Sequence, residues 1–322
     1  MPEPSTEQVA VAAAALQAGE LVILPTETVY GVGGDATNAA AVAAIFAAKG
    51  RPRFNPLIVH VADQSVAEQL ATFTPLARRL AATFWPGALT LVLQRRAGSG
   101  LCDLVSAGLD TAALRVPRHD TARALLHASQ CPIAAPSANR SGRISPTTAD
   151  AARDELGYKV SAILDAGPCR IGVESTVIDA RGSTPVLLRE GGVTAEQIAE
   201  VAGSPIESAS AGTKKASPGM LEAHYAPSVP LILAPTGTIP RAGDALLTFG
   251  PVDRAFDKAA EIVETLSEAG HLTEAAANLY GAMRRLDATR PSRIMAHTVP
   301  EKGLGRAIND RLRRAATGSA GR

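Results

Sequence analysis

Leu21-Val22-Ile23-Leu24-Pro25-Thr26-Glu27-Thr28-Val29-Tyr30-Gly31 joins a short apolar run, rich in β-branched residues, to a hydroxyl-rich turn. Pro25 cannot donate to a strand ladder and ends the run, which places Thr26 and Thr28 where a strand meets a loop. Working outward, comparable runs recur at 57–61, 89–93, 112–116, 133–135, 162–164 and 176–178, with alanine-rich helical patterns between several of them. This alternation predicts an α/β domain whose mixed or largely parallel sheet is covered by helices. Open α/β sheets bind ligands beyond the carboxyl ends of their strands, so the Thr26–Thr28 turn is a candidate binding loop. An ordinary hydroxyl-rich turn would read the same way.

The second informative stretch is Lys49-Gly50-Arg51-Pro52-Arg53-Phe54-Asn55-Pro56-Leu57. No Asp or Glu occurs from Ala36 to Ala62, while Lys49, Arg51 and Arg53 crowd together, so the local field is positive in a chain of net charge +1. Asn38 reads as an N-cap, and Val42, Ile45, Phe46 and Lys49 follow the i, i+3, i+4, i+7 spacing of one helix face. Lys49 therefore ends that helix on its inward side, where Gly50 stops it. Lysine supplies a compact charge and arginine a planar fork, which together suit the oxygens of a triphosphate. The competing readings are a cation complementing the helix C-terminus at Lys49 and a solvated basic patch for the cluster. A Walker-type Gly-x-x-x-x-Gly-Lys-Ser/Thr is absent, and Gly31-Val32-Gly33-Gly34 lacks dinucleotide-fold spacing.

At 322 residues the chain accommodates two domains, each able to bury a core. A pI near 7.8 and 3% aromatic content argue against a general nucleic-acid platform. Cys102, Cys131 and Cys169 are odd in number and contain no Cys-x-x-Cys, so neither a disulfide framework nor a zinc site is expected. The first residues carry acids in an alanine-rich helical pattern, and no run of about eighteen apolar residues occurs, so a cytoplasmic protein without membrane contact is expected. From 204 to 230 the composition turns to Ser, Ala, Gly, Lys and Pro, with no run apolar enough for an element. Beyond it, 231–233 and 245–249 read as strands and 254–268, 273–286 and 305–316 as helices. The expected division is a catalytic domain over 1–203, a linker or active-site lid over 204–230, and a smaller α/β domain over 231–322. Within the linker, Ser217-Pro218-Gly219-Met220 and His224-Tyr225-Ala226-Pro227 are too specific for a free tether and read as a lid that excludes water, with a rigid spacer as the alternative.

Arg115, in Ala112-Ala113-Leu114-Arg115-Val116-Pro117, is a charge ending an apolar strand and requires a partner: either an internal carboxylate or the α-carboxylate of an amino acid. Ser137-Ala138-Asn139 follows a short strand and offers neutral donors and acceptors. No His-Asp pair with recognisable spacing accompanies Ser137, which disfavours a covalent acyl-enzyme. His60, after Leu57-Ile58-Val59, reads equally as a satisfied structural residue. Ser175 reads also as a strand-start cap, and Arg189 as a surface partner of Glu190.

The two opening segments, together with Ala135-Pro136-Ser137-Ala138-Asn139-Arg140-Ser141-Gly142, Glu174-Ser175-Thr176-Val177, Leu188-Arg189-Glu190-Gly191, Ser217-Pro218-Gly219-Met220, His224-Tyr225-Ala226-Pro227 and Ala307-Ile308-Asn309-Asp310-Arg311, resemble in order the motifs of two-domain threonylcarbamoyl-AMP synthases. The resemblance implies a YrdC-like twisted mixed sheet with flanking helices and a smaller Rossmann-like α/β C-terminal domain. It implies that Thr26, His60, Arg115 and Ser175 meet threonine, and that Lys49, Arg53, Thr111, Ser137, Asn139, Ser145, Arg189 and Tyr225 meet ATP, with Lys49 and Arg51 as the catalytic cations. It implies ATP, L-threonine and bicarbonate as substrates, Mg²⁺ carried on ATP rather than by protein side chains, and downstream tRNA threonylcarbamoyl-transferase proteins with a weak tRNA contact. Two other classes compete. An RNA-binding accessory protein would show steep salt dependence and no turnover, and a carbamoyl-transfer maturation factor would carry zinc-finger-like and acylphosphatase segments, neither of which this chain contains.

Overall fold

A computed structural model describes residues 3–209, 224–252, 256 and 259–320. The chain divides into two compact units, the first comprising 1–140, 146–170 and 174–220, the second 141–145, 171–173 and 221–322.

The first unit is built on a mixed sheet. Its strands are β1 (Val22–Leu24), β2 (Gly31–Asp35), β3 (Ile58–His60), β4 (Ala71–Thr72), β5 (Leu89–Arg95), β6 (Thr111–Arg115), β7 (Ile133–Ala134), β8 (Ala162–Ile163), β9 (Thr176–Asp179), β10 (Val186–Arg189) and β11 (Glu207–Ser208). They lie in the order β11-β10-β9-β5-β6-β3-β7-β2-β1-β8, with β4 added to β5. β3 runs parallel to β6 and β5 parallel to β9, whereas β5 and β6 are antiparallel. Helices α1 (Thr6–Gln17) and α3 (Asp120–Ser129) belong to one core cluster, in which Val9, Leu16, Leu125 and Leu126 meet Val22, Leu24 and Ile133. Burial of each large aliphatic side chain there contributes about 1.5–3 kcal/mol.

The register decides what the site is made of. Ile58 pairs with Ala113 and His60 with Arg115, Val92 also faces Ala113, and Thr90 faces Val177. Because side chains alternate along a strand, Ile58, His60, Thr90, Val92, Thr111, Ala113, Arg115 and Val177 share one face of the sheet. Ile58, Val92, Ala113, Val177 and Leu188 form a small apolar cluster on it, and the polar residues border that cluster.

Two features of this unit differ from the sequence expectation. Gly31-Val32-Gly33-Gly34-Asp35 forms strand β2 despite its glycines. A Cβ at Gly33 would lie 2.8 Å from Ile133 Cγ2 and 2.9 Å from Leu24 Cδ2, so a side chain would collide with the neighbouring strands. The 204–230 stretch, expected to hold no element, begins with β11, whose two residues pair parallel to β10. The α2 helix (Ala39–Lys49) is as read: Asn38 accepts from Ala40 N and Ala41 N, and Gly50 closes it at φ +61°.

The second unit contains a four-stranded parallel sheet in the order β12 (Leu231–Ala234), β15 (Arg293–His297), β13 (Asp244–Thr248), β14 (Ile262–Thr265), with helices at Leu272–Ala288 and Leu304–Ser319. Of the helix expected over 254–268, Phe256 and Ala259 are helical, but its later part is corrected by β14: Ile262-Val263-Glu264-Thr265 pairs with Ala245–Thr248, and sheet pairing of β-branched residues overrides the helical period there. β15, begun by Arg293 and ended by His297, has too short an apolar centre to be distinguished from the sequence. Tyr225 is buried here at φ +64°, stacked on Tyr280 with centroids 5.6 Å apart and covered by the Arg311 guanidinium at 5.2 Å. Ser217-Pro218-Gly219-Met220 lies outside the described residues. Among the described residues no helix is long and apolar enough to cross a membrane.

Candidate active site

Three polar clusters occupy the first unit, and each joins residues far apart in sequence. The first is built around Arg115 at the end of β6. Its Nε donates to Gly87 O at 3.0 Å, its Nη1 donates to Thr28 Oγ1 at 2.9 Å, and its Nη2 lies 2.7 Å from Glu27 Oε1. Both partners of that ion pair are nearly sealed from solvent, with 4% and 3% of their side chains exposed. The internal carboxylate that the sequence left as an alternative is thus present, and it is Glu27. Thr26 Oγ1 donates to Val29 O at 2.6 Å, so the 2.8 Å contact between the two threonines has Thr28 donating to Thr26. Between β1 and β6 lie β2, β7 and β3, so the Pro25–Tyr30 loop arches over the sheet face to bring Thr28 to Arg115. Burial, the largest single influence, would raise the Glu27 carboxyl, but the Arg115 guanidinium and the backbone amides of Glu27 and Arg118 together outweigh it and hold Glu27 below the usual carboxylate range. His60, opposite Arg115 in register, is buried with neither ring nitrogen in an aligned hydrogen bond among the described residues. Burial and the Arg115 charge push it down to about 3, against a weak opposing effect of the Ile133 backbone, so the ring is neutral.

The second cluster centres on Lys49. Its Nζ donates to Ser137 O and Asn139 O, each at 2.5 Å, and the side chain is buried. Pairing of the two motifs makes this contact possible: Val32 N donates to Pro136 O and Ala138 N to Tyr30 O, laying the 135–139 segment beside the Tyr30–Val32 stretch. Burial and the neighbouring Arg51 push the Lys49 ammonium well below the ordinary lysine value, partly offset by Glu155 and Glu174. Arg51 donates to Asn55 O and Pro56 O and so braces its own turn. Arg53 is exposed on that turn, with Phe54 beside it 69% exposed. Asn55, which the sequence did not single out, buries its Nδ2 without a partner among the described residues.

The third cluster lies at the start of β9. Ser175 Oγ is 2.7 Å from Thr90 Oγ1, while Arg189 donates through Nε and Nη2 to Ser175 O at 3.2 and 2.8 Å. Arg189 Nη2 also donates to Ser175 Oγ at 3.2 Å, so Arg189 braces both the backbone and the hydroxyl of Ser175. Gly191 is the residue that makes this possible: a Cβ there would lie 2.3 Å from Glu174 O and 2.4 Å from the Ser175 carbonyl carbon. Thr90 was hidden in the sequence by the apolar run around it. Thr111, buried at the first position of β6, stands on the Arg115 face four residues away. Ser145 and Tyr225, both buried, belong to the second unit. Among the described residues no group of three or more His, Cys, Asp or Glu is gathered to hold a metal ion.

A mixed α/β sheet whose polar face gathers buried cations, hydroxyls and an Arg–Glu pair describes a class of enzymes that bind small charged substrates. The comparisons fix the family. A profile described as "Telomere recombination" (Sua5_yciO_yrdC) matches residues 14–191, and one described as "Threonylcarbamoyl-AMP synthase, C-terminal domain" matches 193–317. The chain is 43% identical over 326 residues to the threonylcarbamoyl-AMP synthase of Bacillus subtilis (strain 168), covering 97% of this chain and 93% of that protein. It is 41% identical over 335 residues to the threonylcarbamoyl-AMP synthase of Pyrococcus abyssi, covering 96% and 94%. The crystal structure of P. abyssi Sua5 complexed with L-threonine superposes with a TM-score of 0.88 at 39% identity, over 99% of this chain and 96% of that one. The chain belongs to the threonylcarbamoyl-AMP synthase family.

Proposed function

We propose that this protein is a nucleotidyltransferase that forms L-threonylcarbamoyl-AMP and pyrophosphate from L-threonine, bicarbonate and ATP, supplying the activated group for modification of the adenosine beside the anticodon of certain tRNAs. The observation that carries this reading is the full-length match to a relative whose crystal form holds L-threonine. On this reading threonine lies on the Arg115 face with Thr26, His60 and Ser175 around it, and the triphosphate meets Lys49, Arg51 and Arg53. The amine gives a carbamate, a carbamate oxygen attacks the α-phosphorus, and pyrophosphate leaves. The hydroxyls and cations of the site serve as orienting and charge-stabilising groups, so the rate arises from positioning and from preorganised charge. Lys49 fits that role because its ammonium is already desolvated and fixed by two carbonyls, so the cost of orienting it precedes substrate arrival. Mg²⁺ is expected on the phosphate oxygens, where it would neutralise charge, held by the nucleotide rather than by a protein cage. The 204–230 stretch remains our candidate lid, and downstream transferase proteins the consumers of the product.

Incubation of the pure protein with ATP, L-threonine, bicarbonate and Mg²⁺ should release pyrophosphate, and omission of any one organic or bicarbonate substrate should abolish the release. Pyrophosphate formed at the same rate without threonine would overturn the assignment.

A further inference from the structure

The Glu27–Arg115 pair has the charge pattern of an amino acid turned inside out. Arg115 reaches the carboxylate of Glu27 at 2.7 Å without the alignment of a directional hydrogen bond, and the two side chains are almost wholly buried. On the reading above, on which this inference rests, Arg115 receives the substrate carboxylate. A carboxylate arriving alone would leave two negative charges against one guanidinium in a sealed site, an uncompensated buried charge. A zwitterion does not have that consequence. Its amine nitrogen lies only about 2.5 Å from its carboxylate carbon, so a carboxylate on Arg115 carries the ammonium to within reach of the acid now resting on Arg115. One buried pair is then exchanged for two, Arg115 with the carboxylate and Glu27 with the ammonium, and the site stays neutral.

We infer that Glu27 is the seat of the substrate ammonium and the acceptor of its proton. The N–H bond breaks and an O–H bond forms on Glu27. The freed lone pair forms the N–C bond to the bicarbonate carbon, whose C–OH bond breaks, and the hydroxide departs as water with a second amine proton. The other titratable groups facing Glu27 leave it as the base. His119, half-buried with Nδ1 unpartnered among the described residues, is held down chiefly by partial desolvation. The Cys169 thiol is buried and pushed above its ordinary value, so it stays protonated, and His60 lies beyond Arg115. Arg115 is the cation that keeps Glu27 ionised until the exchange.

The test compares L-threonine with 3-hydroxybutanoate, which keeps the carboxylate and hydroxyl and lacks the amine. By calorimetry in two buffers of different ionisation enthalpy, the wild-type protein should bind threonine without net proton exchange. It should bind 3-hydroxybutanoate at least about a hundredfold more weakly and with uptake of a proton, because Glu27 must be neutralised. Glu27→Gln should lose at least about tenfold of that preference, and its pyrophosphate rate should rise roughly tenfold per pH unit toward the amine pKa while the wild type is flat. A purely structural Glu27 would weaken both ligands alike and add no pH slope. Wild-type binding of 3-hydroxybutanoate without proton uptake, or a Glu27→Gln protein with undiminished preference, overturns the inference. The wild-type titration decides the matter even if the variant does not fold. Loss of threonine-dependent pyrophosphate release in the wild type would instead strike the proposed function, which the binding measurements do not depend on.

Discussion

Lys49→Met separates the cost of the site from its use. In the wild type the ammonium is buried and bonded to Ser137 O and Asn139 O at 2.5 Å each. Methionine keeps the volume and removes the charge. Two carbonyls then lose their partner, at about 1–3 kcal/mol each, while the desolvation of a buried ammonium, several kcal/mol, is relieved. The two effects offset to within a few kcal/mol, and the melting temperature should move by no more than about 10 °C. Turnover has no such compensation. Loss of a preorganised charge on the triphosphate should lower kcat by about 10²–10³, or roughly 3–4 kcal/mol.

The protonation of Lys49 gives a second readout. The folded state holds this proton less tightly than the unfolded chain, so stability rises with pH from the lowered folded value up to the ordinary lysine value near 10.5. Arrival of a triphosphate favours the charged form, so ATP binding at alkaline pH should take up a proton in the wild type and none in Lys49→Met. Differential scanning fluorimetry, pyrophosphate release and calorimetry in paired buffers measure the three quantities. A Lys49→Met protein that folds and turns over within threefold of wild type would refute the reasoning.

Arg115→Met should cost about 3–5 kcal/mol by leaving Glu27 buried and unpaired, and the double variant with Glu27→Gln should recover much of it; strictly additive melting shifts would show that the pair is not coupled. His60 is driven to about 3 in the folded state against about 6.5 unfolded, so the unfolded chain binds more protons in that window and stability falls as pH drops from 6.5 toward 3. His60→Gln removes this slope and should move the acid-unfolding midpoint to lower pH, and an unchanged midpoint would contradict a buried neutral ring. Gly191→Ala drives a methyl into the backbone at Glu174 and Ser175; it should raise the KM for threonine several-fold, and kinetics equal to wild type in a folded protein would dismiss Gly191 as a spacer for Ser175.

What the sequence could express depended on whether a signal was local. The α2 helix was legible to the residue, because Asn38, the stripe ending at Lys49, and Gly50 all lie within one element. The run from Leu21 to Leu24 was equally plain. β2 was not, because three glycines in five residues contradict strand propensity, and the close approach of Ile133 and Leu24 that requires them is a tertiary fact. Ile262–Thr265 misread as helix for the same reason, since its parallel partner β13 is what selects the extended form. In the site, Arg115 announced a missing partner by being a charge on an apolar strand, and the alternatives posed were an internal carboxylate or a substrate. The sequence could not choose between them. Glu27 sits in a hydroxyl-rich loop whose local chemistry suggests only turn formation, and its meaning appears when that loop crosses β2, β7 and β3 to reach β6. Both alternatives hold at once if the internal carboxylate keeps Arg115 neutralised until a zwitterion replaces it. A buried guanidinium waiting alone for its ligand would carry a desolvation cost of several kcal/mol in every unliganded molecule. Placing an acid beside it removes that cost and leaves a pair whose charges match the two ends of the amino acid to be bound.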